Sequence, residues 1–91
     1  MCAQTDIPVN LIVKAQSFEQ ALDSIKSHDL TIREITVSQI KGDEWGGLLT
    51  LTDATDEQIA TILNEWFTET MSTPFPVGTL LHWNFAYQAF N

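Results

Sequence analysis

From Gly42 to Asn91 the chain contains no lysine and no arginine. The seven acids of this half, Asp43, Glu44, Asp53, Asp56, Glu57, Glu65 and Glu69, therefore have no cation of their own half to face them. Residues 1–41 set Lys14, Lys26, Arg33 and Lys41 against five acids, so the net charge of −8 divides into −1 and −7. Ligands that carry phosphate need clustered cations, and their absence argues against nucleic acid and anionic membrane as partners. The partner class that remains is a basic or neutral protein.

Cysteine is almost missing too. Cys2 alone allows neither an internal disulfide nor a thiolate metal cluster, and such usage suits a reducing cytoplasm. No glycine-rich phosphate loop is present, because Gly46-Gly47 leads into a strand pattern and not a helix start. No metal or other cofactor is expected. The charge-free stretch 70–91 is too polar to span a bilayer, with Pro74, Pro76, His82, Asn84 and Gln88 along it. The amino terminus shows no basic region followed by an apolar run, so no secretory signal is expected. Ninety-one residues with 44% apolar content are enough for one domain, 1–91, with one modest core, and its first six residues are expected to be frayed.

The residues that are present divide the chain cleanly. Ser17-Phe18-Glu19-Gln20 and Thr55-Asp56-Glu57-Gln58 both place glutamine three positions after a hydroxyl residue, a signature of helix starts. Phe18, Ala21, Leu22 and Ile25 then fall at helical spacing, as do Ile59, Ile62, Leu63 and Trp66, with Phe67 widening the second stripe. The first helix is expected to end at Ser27-His28-Asp29 and the second at Met71-Ser72-Thr73-Pro74. Ile7 to Ala15 alternates as a half-buried strand. Leu30 to Ile40 is a second strand whose apolar parity changes from Leu30 and Ile32 to Ile35 and Val37, which predicts a bulge near Arg33-Glu34. A turn over Gly42 to Gly47 precedes a short strand, Leu48 to Thr52. In the last strand Leu81, Trp83, Phe85, Tyr87 and Ala89 are expected on one face, with Leu80, His82, Asn84, Ala86 and Gln88 on the other.

This order predicts an α+β, ferredoxin-like split β-α-β sandwich (βαββαβ), a four-stranded antiparallel sheet with two helices on one face. Strands one and three are central, and two and four are edges.

Three surfaces stand out as candidate sites, and none carries a catalytic motif. Glu65 and Glu69 lie one helical turn apart near a helix carboxyl end, where both the like charge and the dipole disfavour them by a few tenths of a kcal/mol each, roughly. A solvated acidic face is the plain account, and a docking surface for Lys and Arg of a partner is the functional one. Asp43, Glu44 and Trp45 combine carboxylates and a ring in a turn that could meet a cation. The plain account is a hairpin with Trp45 folded over the sheet. The final strand has no charged guard, so while Trp83, Phe85 and Tyr87 serve the core, its backbone edge is expected to pair two copies into a homodimer. Histidine is the side-chain type whose ordinary pKa lies nearest neutrality, and the chain has two, His28 and His82. His82 anchors the alternative, a dimeric small-molecule sensor or small enzyme of isomerase or monooxygenase type, with a pocket near His82.

Val13-Lys14-Ala15, Ser17-Phe18-Glu19-Gln20-Ala21 and Ile35-Thr36-Val37-Ser38-Gln39-Ile40-Lys41 together resemble a phage-encoded family of unknown function, over residues 11–41. The resemblance implies a phage or mobile-element origin and supplies no catalytic residue. A small acidic protein of such origin would bind and block a host factor, for instance by presenting carboxylates where phosphates sit. The primary expectation is thus a noncatalytic acidic binding protein engaging a basic partner.

Overall fold

Ser17 and Thr55 each open a helix. Gln20 N–H donates to Ser17 Oγ at 3.2 Å, and Gln58 N–H donates to Thr55 Oγ1 at 3.2 Å. The second cap is reciprocal, since Thr55 N–H donates to Gln58 Oε1 at 2.9 Å. In the first cap Gln20 Oε1 reaches past Ser17 and accepts from Gln16 N–H at 2.8 Å. Each cap satisfies amide groups that the first turn leaves without helical partners.

The computed structural model describes residues 6–69 and 76–87. Its elements are β1 (Ile7–Lys14), α1 (Phe18–Lys26), β2 (Ile32–Lys41), β3 (Glu44–Leu51), α2 (Asp56–Glu69) and β4 (Leu80–Phe85). The strands form one antiparallel sheet in the order β2-β3-β1-β4. This is the α+β ferredoxin-like arrangement, with β1 and β3 central.

Alternation along β1 divides the molecule into layers. Ile7, Val9, Leu11 and Val13 are buried, while Pro8, Asn10, Ile12 and Lys14 between them lie on the other, uncovered face. Leu49 and Leu51 of β3 join the buried set, and α1 and α2 close over it with Ala21, Ile25, Ile59, Leu63 and Trp66. Trp66 is the largest wholly buried side chain. Its indole N–H donates to Gly78 O at 2.9 Å, and its ring stacks on His28 with centroids 3.9 Å apart. One residue thus joins α2 to the segment leading into β4 and to the end of α1.

Gly47 serves the same core by lacking a side chain. A Cβ there would lie 3.0 Å from both Ile25 Cδ1 and Leu11 Cδ1, so the glycine lets α1 settle on the sheet. The expected bulge in β2 is found, as a register shift between Ile32 and Glu34, and a second shift falls between Gln39 and Lys41.

Three local expectations are corrected. β3 begins at Glu44, so Gly46 and Gly47 are strand residues and the turn shrinks to Gly42-Asp43. Gly42, with φ +52, occupies a turn position that favours glycine. In β4 a register shift opposite Ile12 and Val13 turns Leu80 into the core in place of Leu81. Phe18, counted in the apolar stripe of α1, is 48% exposed, because it sits in the first turn ahead of the buried Ala21 and Ile25. The expected end of α2 at Met71 to Pro74 and the run from Gln88 onward lie outside the described residues.

Candidate functional site

The layered fold redistributes charge in a way the linear sequence hides. The helices and the loops bordering them hold eight of the twelve acids: Glu19, Asp23, Asp29, Asp53, Asp56, Glu57, Glu65 and Glu69. Lys26 is their sole Lys or Arg, so this layer carries −7. The sheet and its hairpin hold Asp6, Glu34, Asp43 and Glu44 with Lys14, Arg33 and Lys41, a net of −1.

Within the sheet layer the charges are locally paired. Arg33 Nη1 lies 2.8 Å from Asp6 Oδ2, and Lys14 Nζ lies 3.6 Å from Asp43 Oδ2. Glu44 stands opposite Lys14 on one neighbouring strand and Lys41 on the other. The first half of the chain therefore supplies the lysines that the hairpin acids lack in their own half.

This placement separates the candidate contact residues. Asp43 is exposed in the hairpin, but Glu44 and Trp45 are consecutive strand residues and point to opposite faces. Trp45 stands across from Val13, packs against the core, and buries its indole N–H with no hydrogen-bond partner. Glu65 is exposed on α2 and lines a shallow depression with Thr61, Asn64 and Thr68. Glu69 is the last residue of α2, one turn beyond it. No lysine or arginine occurs anywhere on this helix.

β4 carries the aromatic residues onto the helix side. Phe85 is buried, and Trp83 meets it edge-on with centroids 5.2 Å apart. Trp83 Nε1 donates to Asn64 Oδ1 at 3.1 Å, and Tyr87 Oη donates to Asp56 Oδ2 at 2.6 Å, so both rings tie β4 and its end to α2. Ala86 N–H donates to Pro8 O at 2.8 Å. The alternation of an antiparallel ladder then turns the N–H groups of Trp83 and Phe85 away from β1, toward the outer edge.

The Tyr87 phenol titrates above its ordinary 10.0, chiefly because it donates to Asp56, with desolvation and the negative charge of Asp56 adding to the effect. A raised tyrosine pKa means that the fold favours the neutral phenol. That contribution is complete below the unfolded value and is lost as pH rises through the folded one. Asp56→Asn is expected to bring the titration back toward 10.0. Tyr87 is the chain's single tyrosine, so tyrosinate absorbance reads it directly. An unchanged midpoint would contradict the Asp56 assignment.

The broadest feature is the face of the sheet that the helices leave bare. A depression of about 640 Å³ crosses it, lined by Asn10, Ile12, Thr36, Ser38, Ile40, Gly46, Leu48, His82 and Asn84 among others. No charged side chain lines it. Leu48 is 49% exposed and Ile40 52% exposed, the latter lying across Gly46, where a Cβ would be 3.1 Å from its Cδ1. Asn84 Oδ1 is shielded from water without a hydrogen-bond partner among the described residues. His82 is exposed and lines the depression, whereas Trp83 faces the helices. Among the described residues no carboxylate lines the depression to orient His82.

A smaller cleft of about 410 Å³ opens between the loop after α1 and the start of α2, with Asp29 and Asp53 in its lining. Asp53 has φ +57, in the left-handed region. Among the described residues no three histidine, cysteine or acidic side chains converge as metal ligands, and no helix is long and apolar enough to cross a membrane.

The fold and its surfaces define the class: a small ferredoxin-like sandwich with an acidic helix layer and a bare sheet face whose central depression has no lysine, arginine or carboxylate in its lining. No protein-family model, curated protein or solved structure matches the chain.

Proposed function

We propose that the protein is a noncatalytic binding module that engages a basic protein through its helix layer, and that occupation of that partner is its activity. The observation that carries this is the segregation of charge: −7 on the helix layer with one lysine, against −1 on the sheet layer, where the cations are matched. Acids spread for solubility alone have no reason to collect on one side. Glu65 and Glu69 on the cation-free α2 are the principal contacts. Asp43 and Glu44 contribute less, since Lys14 and Lys41 already stand beside them. A layer of eight carboxylates with a single lysine among them also imitates a phosphate backbone, which favours a nucleic-acid-binding target and a blocking role.

The test is retention of proteins from cell lysate on the immobilised chain, at low and high salt, for the wild type and for Glu65→Lys/Glu69→Lys. Basic proteins are expected on the wild type at low salt and are expected to be lost from the reversed variant and at high salt. Identical retention by both proteins would remove α2 as the contact surface.

One observation favours a second reading, a small-molecule sensor or enzyme: His82 lines the depression on the bare face. This reading expects thermal stabilisation by a small apolar ligand that His82→Ala abolishes. A metabolite panel that gives no shift would reject it.

A further inference from the structure

We infer that the bare sheet face is the interface for a second copy of this chain, the two sheets packing face to face with the helices outward. The inference is independent of the proposal above, which rests on the opposite layer.

Charge selects the occupant. Any pairing that brings two helix layers together opposes −7 with −7, whereas two sheet layers of −1 meet at little cost. The depression across the sheet face has no charged side chain in its lining, and charge depletion is what the core of a protein interface shows. Leu48 and Ile40, two of the larger exposed apolar side chains, project from this face.

The rim is self-complementary as well. One end of the sheet carries Lys14, Lys41 and Glu44, and the other carries Asp6, Arg33 and Glu34, so each end presents both signs to a two-fold mate. The size is sufficient. Four strands of about eight residues cover roughly 500 Å² per copy, about 1,000 Å² for the pair, the lower bound for a specific interface. An RNA strand, the other ligand such a sheet could offer a platform to, requires several stacking rings and clustered cations, and the lining of this depression supplies one imidazole, His82, and no lysine or arginine.

The experiment is light scattering on the purified full chain over a wide concentration range, with Leu48→Lys and Leu81→Lys beside the wild type. Leu48 is half exposed in the single chain, so its lysine variant should keep the native circular dichroism; Ile40→Lys repeats the measurement should that variant misfold. The wild type is expected at twice the chain mass, Leu48→Lys at half the wild-type value, and Leu81→Lys, which guards the β4 edge, unchanged from wild type. A monomeric wild type at its highest soluble concentration overturns the inference. A dimer that survives Leu48→Lys and Ile40→Lys, or one that Leu81→Lys breaks, overturns it in favour of pairing through the β4 edge.

Discussion

Trp66→Ala is expected to remove about 3–5 kcal/mol of folding free energy, the cost of truncating a large buried aromatic side chain. A domain of this size has a total stability on the order of 5–15 kcal/mol, so the variant will be marginal at best. The effect is large because several losses coincide. The cavity lies between α2 and the sheet, the stacked partner His28 loses its support at the end of α1, and Gly78 O loses the indole donor 2.9 Å away. Trp66→Phe separates these contributions. It retains most of the ring and forfeits the part-buried hydrogen bond to Gly78 O, at about 0.5–1.5 kcal/mol. Chemical denaturation followed by circular dichroism measures both. If the alanine variant loses less than the phenylalanine variant, Trp66 is not the keystone described.

Gly47→Val is expected to destabilise by about 1–3 kcal/mol, through overpacking and not through a cavity. Strand propensity predicts the opposite sign, since valine favours extended backbone and glycine does not. Packing decides, because the first added carbon already meets two buried side chains, Ile25 and Leu11, at 3.0 Å. Gly46→Val is the paired control. Its added carbon presses on Ile40 alone, with Ser38 O at an ordinary 3.9 Å, and the Ile40 side chain is half exposed and can swing into solvent, so the change should stay within about 0.5 kcal/mol of zero. Equal melting temperatures for the two variants would mean that α1 does not bear on Gly47.

The contrast between these glycines also shows where the sequence stops being informative. Helices were legible because their signals are local: Ser17 and Thr55 with glutamine three residues on, then an apolar period of three to four. The β2 bulge was legible because parity changes within a few residues, between Ile32 and Ile35. Gly46 and Gly47 were read as turn residues since paired glycines ordinarily punctuate a chain. Their reason for being glycine lies in Ile40, Ile25 and Leu11, on other elements. The shift that puts Leu80 inward depends on pairing with β1, which no pattern within β4 records. The candidate surfaces fared likewise. Glu65 and Glu69 are visible as a pair at helical spacing, whereas the depression that His82 lines belongs to the bare face. That face is assembled from four strands, and none of them advertises it alone.

The division of charge between the layers has a further consequence, for how the molecule arrives at anything it meets. A body with nearly all its excess charge on one side behaves as a permanent dipole, and its field extends about 8 Å beyond the surface at physiological salt and about 30 Å at low salt. Near a cationic surface it rotates helices first before contact, so the sheet side is left pointing away. Orientation in a collision is then set by the solution's ionic strength, and a cationic chromatography matrix or sensor chip will hold this protein by one side and display the other.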